Sequence, residues 1–385
     1  MPLPPAATAA SGTRADLRLQ QIDHARRAVM VEGRALADLL PEAGGERAWL
    51  ERSWRRCLAR GQRPEQPVDF EPVSVQAERR SRDASHALVQ AARPVLDRLG
   101  RAIANTRYFA ILTDADGIVV DVDGPIDRSD RRATLITRIG VDLSEARVGT
   151  TAIGAVLAER QPVWLHRGEH FFDDTSVYSC AGAPLFGPDG RCVGMLDMTG
   201  IEAAERPELK HLVAQSARSI ENALTLARPY SLLVRLNWPG RLLGDETDGL
   251  VCLDGDGWVT GANALAREMV SQLATDASGP LHCGDLFALP WEMLFDAARA
   301  HGTREGPPLE VPLWSGLRLH ALAQAAGSEP QAPPAPLDRL PLKDLEVALI
   351  RQAVDEARGN VMQAARALGI SRATVYRKLG LGRRR

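Results

Sequence analysis

Apolar positions first recur at helical spacing. Between Asp16 and Gly61, Leu17, Ile22, Ala25, Val29, Leu36, Leu39 and Leu40 form a stripe. The pattern resumes over Glu46–Leu58 after a break at Pro41 and Gly44-Gly45. Ser53-Trp-Arg-Arg-Cys57 lies on that second helix, with Trp54 and Cys57 read as packing residues. Residues 64–72 read as a loop. Asp83–Thr106 is a further helical stretch, expected to break or kink at Pro94. The period then changes. Tyr108–Thr113 reads as a strand, Asp114-Ala-Asp-Gly117 as a hairpin turn and Ile118–Val122 as the returning strand. The device repeats at 182–198 around Gly187-Pro-Asp-Gly190, and at 250–260 around Asp254-Gly-Asp-Gly257. Pro162–Leu165 is a further strand. Between the second and third hairpins Pro207–Arg228 reads as a long amphipathic helix. Its Leu209, Val213, Ser216, Ile220, Ala223 and Ala227 alternate by four and three, a spacing that suits a seam between subunits. After the third hairpin come helices over 263–273 and 291–301 and short alternations at 309–313 and 317–322. Antiparallel hairpins flanked by helices predict an α+β fold.

The end of the chain has a tighter signature. Asn360 can cap a helix whose Ala364, Ala365 and Leu368 make one apolar face. Gly369 stands where that helix must stop, and Ser371 caps a second helix whose inward face is Val375 and Leu379. This is a helix-turn-helix, whose second helix would lie in the major groove. Charge changes the picture further. From Leu337 onward, eleven basic residues against five acidic ones give +6; the whole chain is −2, so residues 1–336 carry −8. A basic end on an acidic body suits phosphate binding.

Residues 342–381 resemble the DNA-binding domain of the Fis type. The resemblance implies a preceding helix with a stripe of Leu345, Leu349, Ala353, Val354 and Ala357, ended by Gly359, that makes the dimer. It further implies that Asn360, Ser371, Arg372, Thr374, Arg377 and Lys378 face DNA. Arg372 suits a guanine edge, and Ser371, Arg377 and Lys378 suit phosphates. Tyr376 stands where that family often has a basic residue.

A second resemblance covers residues 83–228. Arg147-Val-Gly-Thr-Thr-Ala-Ile-Gly154, Glu169-His-Phe171, Ser179-Cys-Ala-Gly-Ala-Pro184 and Gly194-Met-Leu-Asp-Met-Thr-Gly200 resemble the GAF sensory domain of acetoin-catabolism-type regulators. Ser53–Cys57 matches that family's N-terminal region, and Thr151 stands where the family usually has Asn. The resemblance implies an effector site near 163–180, with Trp164, His170, Phe171, Tyr178 and Cys180 as its walls. Those residues suit core filling equally well. Residues 229–324 resemble a PAS-like module. The implied domains are a disordered tail at 1–15, a helical region at 16–82, the GAF-like sensor at 83–228, the PAS-like module at 229–324, a Pro-rich linker at 325–336 and the Fis-type end at 337–385.

Such regulators normally carry an AAA+ ATPase domain. Its G-x-x-x-x-G-K-[ST] motif is missing here: the three Lys are 210, 343 and 378, and none follows a Gly. His166-Arg-Gly-Glu-His170 matches H-x-x-E-H, a zinc-hydrolase signature that requires one helix. A strand at 162–165 and Gly168 within the motif argue against it. The expectation is therefore no catalytic residues, no metal and no cofactor. Five scattered Cys without a C-x-x-C pair suggest reduced thiols, and no apolar run is long enough to span a membrane. The expected protein is a cytoplasmic homodimer that binds double-stranded DNA at a two-fold operator and answers a small-molecule effector. The alternative is an adaptor acting through a protein partner.

Overall fold

The computed structural model describes residues 9–35, 47–274, 279–301 and 308–327, and 347–379 apart from 348, 349, 352, 355, 356 and 358. Of the Pro-rich linker expected over 325–336, residues 328–336 lie outside the described residues, as do Leu345 and Leu349, while Ala325 ends the strand Arg318–Ala325.

Among the described residues, two five-stranded antiparallel sheets organise the fold. The first comprises β1 (Tyr108–Asp114), β2 (Val119–Asp123), β3 (Val163–His166), β4 (Tyr178–Phe186) and β5 (Cys192–Ile201), in the order β2-β1-β5-β4-β3. All seven residues of β1 are buried, because helices cover both faces of the sheet. Side chains alternate between those faces. Phe109, Ile111, Cys180 and Met195 enter one core with α2 (Ala48–Ala59) and Ala152–Val156. Tyr108, Ala110, Leu112, Ala181 and Leu196 enter the other, with α4 (His86–Ala102) and α8 (Leu209–Leu226). The β1–β2 turn forms as its sequence predicts. Asp114 Oδ1 accepts from the backbone N–H groups of Asp116 and Ile118, and Gly117 takes φ 86°.

Several expectations need correction. The tail expected over 1–15 is helical from Ala9, since α1 runs Ala9–Met30; Ala9 and Ala10 favour helix. The helix around Pro94 is unbroken. The interruption falls instead at Ser85, between α3 (Val75–Ala84) and α4, which contains Pro94. The stripe on α8 is not an open seam. Leu209, Val213 and Ile220 are buried, Ile220 completely, against α4 and the sheet of the same chain. Three short helices, α5 (Arg131–Ile136), α6 (Glu145–Val148) and α7 (Ala152–Glu159), lie in a region where the sequence pattern marked none.

The second sheet comprises β6 (Leu232–Asn237), β7 (Gly249–Leu253), β8 (Val259–Ala262), β9 (Leu309–Pro312) and β10 (Arg318–Ala325), in the order β8-β7-β6-β10-β9. Its central strand, β6, was not marked by the sequence pattern. Leu232, Val234 and Leu236 pack under the helices at Ala264–Met269 and Glu292–His301. Leu233, Leu250 and Cys252 face the other way, and Cys252 Sγ reaches the Thr225 carbonyl on α8. The two sheets also meet at the β4–β5 turn. The Pro188 carbonyl accepts from Ala262 N at 2.9 Å and from Arg267 Nη2 at 2.6 Å.

Candidate effector site and DNA-binding interface

The five residues expected to wall an effector site do not all meet. Trp164 points to the α4/α8 side of the first sheet, in line with His166; their rings are 6.4 Å apart at 12°. Phe171, Tyr178 and Cys180 enter the opposite core, and His170 joins them through its ring contact with Tyr178 and its approach to Cys180. A strand alternates, so Trp164 and Cys180 cannot share a face here: Leu165, not Trp164, pairs with Cys180 in the register.

On the Cys180 side a short polar row crosses the core. His170 Nε2 is 3.4 Å from Cys180 Sγ, which is 3.3 Å from Thr199 Oγ1, and Thr199 donates to Asp197 Oδ2. All four are buried. Burial pushes Asp197 up to about 7 and the Cys180 thiol well above its usual value, and lowers His170 to about 4. His170 is therefore a neutral imidazole. Its Nδ1 lies 2.9 Å from the Arg167 carbonyl, which can only accept, so Nδ1 carries the proton and Nε2 accepts. Asp197 and Thr199 were not singled out from the sequence. The signal was available in Met195-Leu-Asp-Met-Thr199, where a carboxylate and a hydroxyl alternate with apolar residues and so share one face of a strand.

The N-terminal helices strap this region. Arg26 on α1 donates to the carbonyls of Gly168, His170 and Phe171. Glu169 pairs with Arg18 at 2.6 Å and with Arg47. Burial alone would raise Glu169, but Arg47 and Arg18 outweigh it and hold the carboxyl below its usual value. On α2, Ser53 donates to Glu145 and accepts from the Thr150 hydroxyl, Trp54 Nε1 donates to the Glu169 carbonyl, and Arg56 donates to Glu145 and Glu159. Trp54 and Cys57 are buried, as expected of packing residues, but Ser53 and Arg56 tie the helix to the sensor.

His166 and His170 do not form a metal site. His166 ends β3 and bonds Ser179 at 2.8 Å, whereas His170 follows a short 3-10 turn and faces Cys180. Among the described residues no group of three or more His, Cys, Asp or Glu is placed to hold a metal ion. No helix among them is long and apolar enough to cross a membrane.

At the end of the chain the two expected helices are Val361–Ala367 and Arg372–Leu379. Asn360 Oδ1 accepts from Gln363 N, Gly369 takes φ 63°, and Ser371 Oγ accepts from Thr374 N. Ala364, Ala365, Leu368 and Val375 are buried together with Ile350 and Ala353. Asn360, Arg372 and Arg377 are exposed, while Ser371, Thr374 and Lys378 are half-buried. Thr374 is partly spoken for, since its Oγ1 lies 2.9 Å from Ser371 Oγ. Tyr376, one turn after Arg372, is also exposed.

Residues 51–222 match the family model described as "MimR, N-terminal domain", and residues 341–380 match "Bacterial regulatory protein, Fis family". The chain joins a MimR-type N-terminal domain to a Fis-type helix-turn-helix. The acetoin catabolism regulatory protein of Cupriavidus necator is 30% identical over 259 residues, which cover 65% of this chain and 38% of that protein. The acetoin dehydrogenase operon transcriptional activator AcoR of Bacillus subtilis is 30% identical over 175 residues, 45% of this chain and 28% of the activator. The propane 2-monooxygenase operon transcriptional activator MimR of Mycolicibacterium smegmatis is 31% identical over 150 residues, 38% of this chain and 25% of MimR. The chain thus spans less than two fifths of the length of these relatives. Among solved structures, the Escherichia coli DhaR(N)–DhaL complex aligns with a TM-score of 0.44 at 16% identity, over 72% of this chain and 99% of that one.

Proposed function

We propose that the protein is an effector-responsive, sequence-specific DNA-binding regulator of transcription that acts as a homodimer and without ATP hydrolysis. The Fis-type end carries the reading: a capped two-helix unit in a basic segment presents Arg372 and Arg377 from one exposed helix. Relatives named as regulators and transcriptional activators support it. Arg372 reads base edges, and Arg377, Lys378, Ser371, Thr374 and Asn360 position the helix on phosphates and sugars. The MimR-type domain senses, with His170, Phe171, Tyr178 and Cys180 at the effector site. The second sheet relays.

The relay follows the hairpin that carries the site. β4 holds Cys180 and β5 holds Asp197 and Thr199, and their shared turn bonds the second sheet through Pro188. An effector that favours one position of this hairpin shifts the equilibrium by its differential affinity for the two arrangements.

The test is fluorescence anisotropy of the full chain on genomic DNA selected by its binding. A two-fold site with half-sites about one helical turn, ~34 Å, apart is the expected product. Binding that is equal on selected and scrambled DNA would remove the sequence-specific reading.

A further inference from the structure

The DNA-binding end touches the sensor at the turn between its two helices. The last carbonyls of a helix find no partner within it. In the helix Val361–Ala367 the Ala364 carbonyl accepts from Leu368 N, the Ala365 carbonyl from Ile370 N and the Arg366 carbonyl from Gly369 N. The Ala367 carbonyl is served from the sensor instead. His211 Nε2, in the first turn of α8, lies 3.2 Å from it across 156 positions of sequence. A carbonyl only accepts, so His211 donates. Pro207, one turn earlier, closes on the same place: a Cβ built at Gly369 would stand 3.6 Å from the Pro207 Cβ. Leu209, Leu212 and Val213 are buried in the sensor core, so this first turn cannot step aside.

We propose that this contact is an autoinhibitory latch, in which the first turn of α8 holds the DNA-binding end in a position that excludes DNA. The latch rests on the DNA-binding reading and gives the sensor a direct hold on it. Gly369 stands two residues before Ser371 and three before Arg372, at the leading end of the helix Arg372–Leu379. That leading end enters the major groove. The groove is about 12 Å wide and a helix with its side chains about 10–12 Å across, so the groove holds one helix and no more. A second helix fixed beside the turn meets the groove wall before Ser371 and Arg372 reach their contacts. Charge adds to bulk, since residues 1–336 carry −8 and repel the phosphates. Arg372 and Arg377 stay exposed in this arrangement. The latch therefore blocks the approach of the helix without covering its arginines, and the end must leave the sensor before it reads an operator.

The experiment is a reversible crosslink in the full chain, read by fluorescence anisotropy on the selected and scrambled DNA. Pro207→Cys combined with Gly369→Cys brings two Cβ atoms to a separation that suits a disulfide, about 3.5–4.5 Å. Glutathione disulfide should close it within one chain, seen as a faster band on a non-reducing denaturing gel. Each single variant is the control, for strain at the left-handed Gly369 backbone and for pairing with the half-buried Cys192. The crosslinked chain should bind both DNAs at least about tenfold more weakly than the same chain reduced, within the usual range for coupled sites, and reductant should restore binding. His211→Ala removes the donor to the Ala367 carbonyl without touching a DNA contact. It should bind DNA about 2- to 5-fold more tightly than wild type, the worth of one exposed neutral hydrogen bond. The proposal is overturned if no crosslink forms within the chain, if crosslinked and reduced chains bind alike, or if His211→Ala binds no more tightly than wild type. DNA bound equally by both forms sinks the latch alone. A reduced chain that binds no DNA although the crosslink forms sinks the DNA-binding reading and the latch with it.

Discussion

Ser53 Oγ lies 2.7 Å from Glu145 Oε2, though the two residues are 92 positions apart. Through this bond and those of Arg56 and Arg60, Glu145 fastens α2 to the sensor. Glu145→Ala removes the buried carboxylate these donors share, although Ser53 keeps Thr150 and Arg56 keeps Glu159. It should cost about 2–3 kcal/mol, less than a fully buried pair because both Arg are partly exposed. Gly154→Ala should cost about 1–3 kcal/mol, since it drives a methyl into the same residue. Its Cβ would stand 2.9 Å from both the backbone N and the Cα of Glu145. Urea unfolding of each variant measures both.

Ile220→Asp should unfold the sensor rather than split a dimer. The side chain is fully buried within its own chain, and an unpaired carboxylate there costs more than about 4 kcal/mol. Near-UV circular dichroism and size-exclusion chromatography decide it. A folded variant altered only in oligomeric state would restore α8 as a subunit seam.

Asp197 makes stability depend on pH with a definite sign. Its folded value is raised from 3.8 to about 7, so between those limits the folded state holds a proton that the unfolded chain has lost. Its contribution therefore falls as pH rises from about 4 to about 7, by at most ~1.4 kcal/mol per pH unit. His166 and His170, both lowered to about 4, act oppositely: the unfolded chain holds their protons below about 6.5, so their contribution rises with pH. Asp197→Asn should therefore gain stability relative to wild type as pH climbs from 4 to 7. A pH-independent difference between the two melting curves would show Asp197 ionised throughout.

Arg372→Ala should weaken cognate DNA by about 1–3 kcal/mol and relax the base preference. Lys378→Ala should weaken all sequences alike and lower the salt slope by about one. Anisotropy titrations across a salt series separate the two. Equal losses on cognate and random DNA for Arg372→Ala would move it to the phosphate set.

Arg267→Ala removes the 2.6 Å bond to the Pro188 carbonyl. If the hairpin relays, the variant should lose most of an effector response expected at about 5- to 150-fold in operator affinity. Effector binding, followed by calorimetry, should stay within error. A full response in Arg267→Ala would route the signal elsewhere.

The sequence by itself determined what is local. Asn360, Gly369 and Ser371 fix a helix, a turn and a second helix over a dozen residues, because each serves backbone groups three or four positions away. The three Asp/Gly turns fix their hairpins for the same reason. Tertiary structure decided what covers each apolar face. The α8 stripe shows that Ile220 is buried, but its spacing is the same whether a second subunit or α4 lies over it. Strand β6 carries Arg235 among its apolar residues and became central only because β7 and β10 pair on both sides. Trp164 and Cys180 are close in sequence yet sit on opposite faces, since alternation and register, not proximity, assign a side chain to a face. Asp197 had to be placed beside Thr199, Cys180 and His170 before their polar row became visible. A row of hydrogen bonds belongs to a neighbourhood, and residues 170 to 199 become neighbours only when the sheet forms.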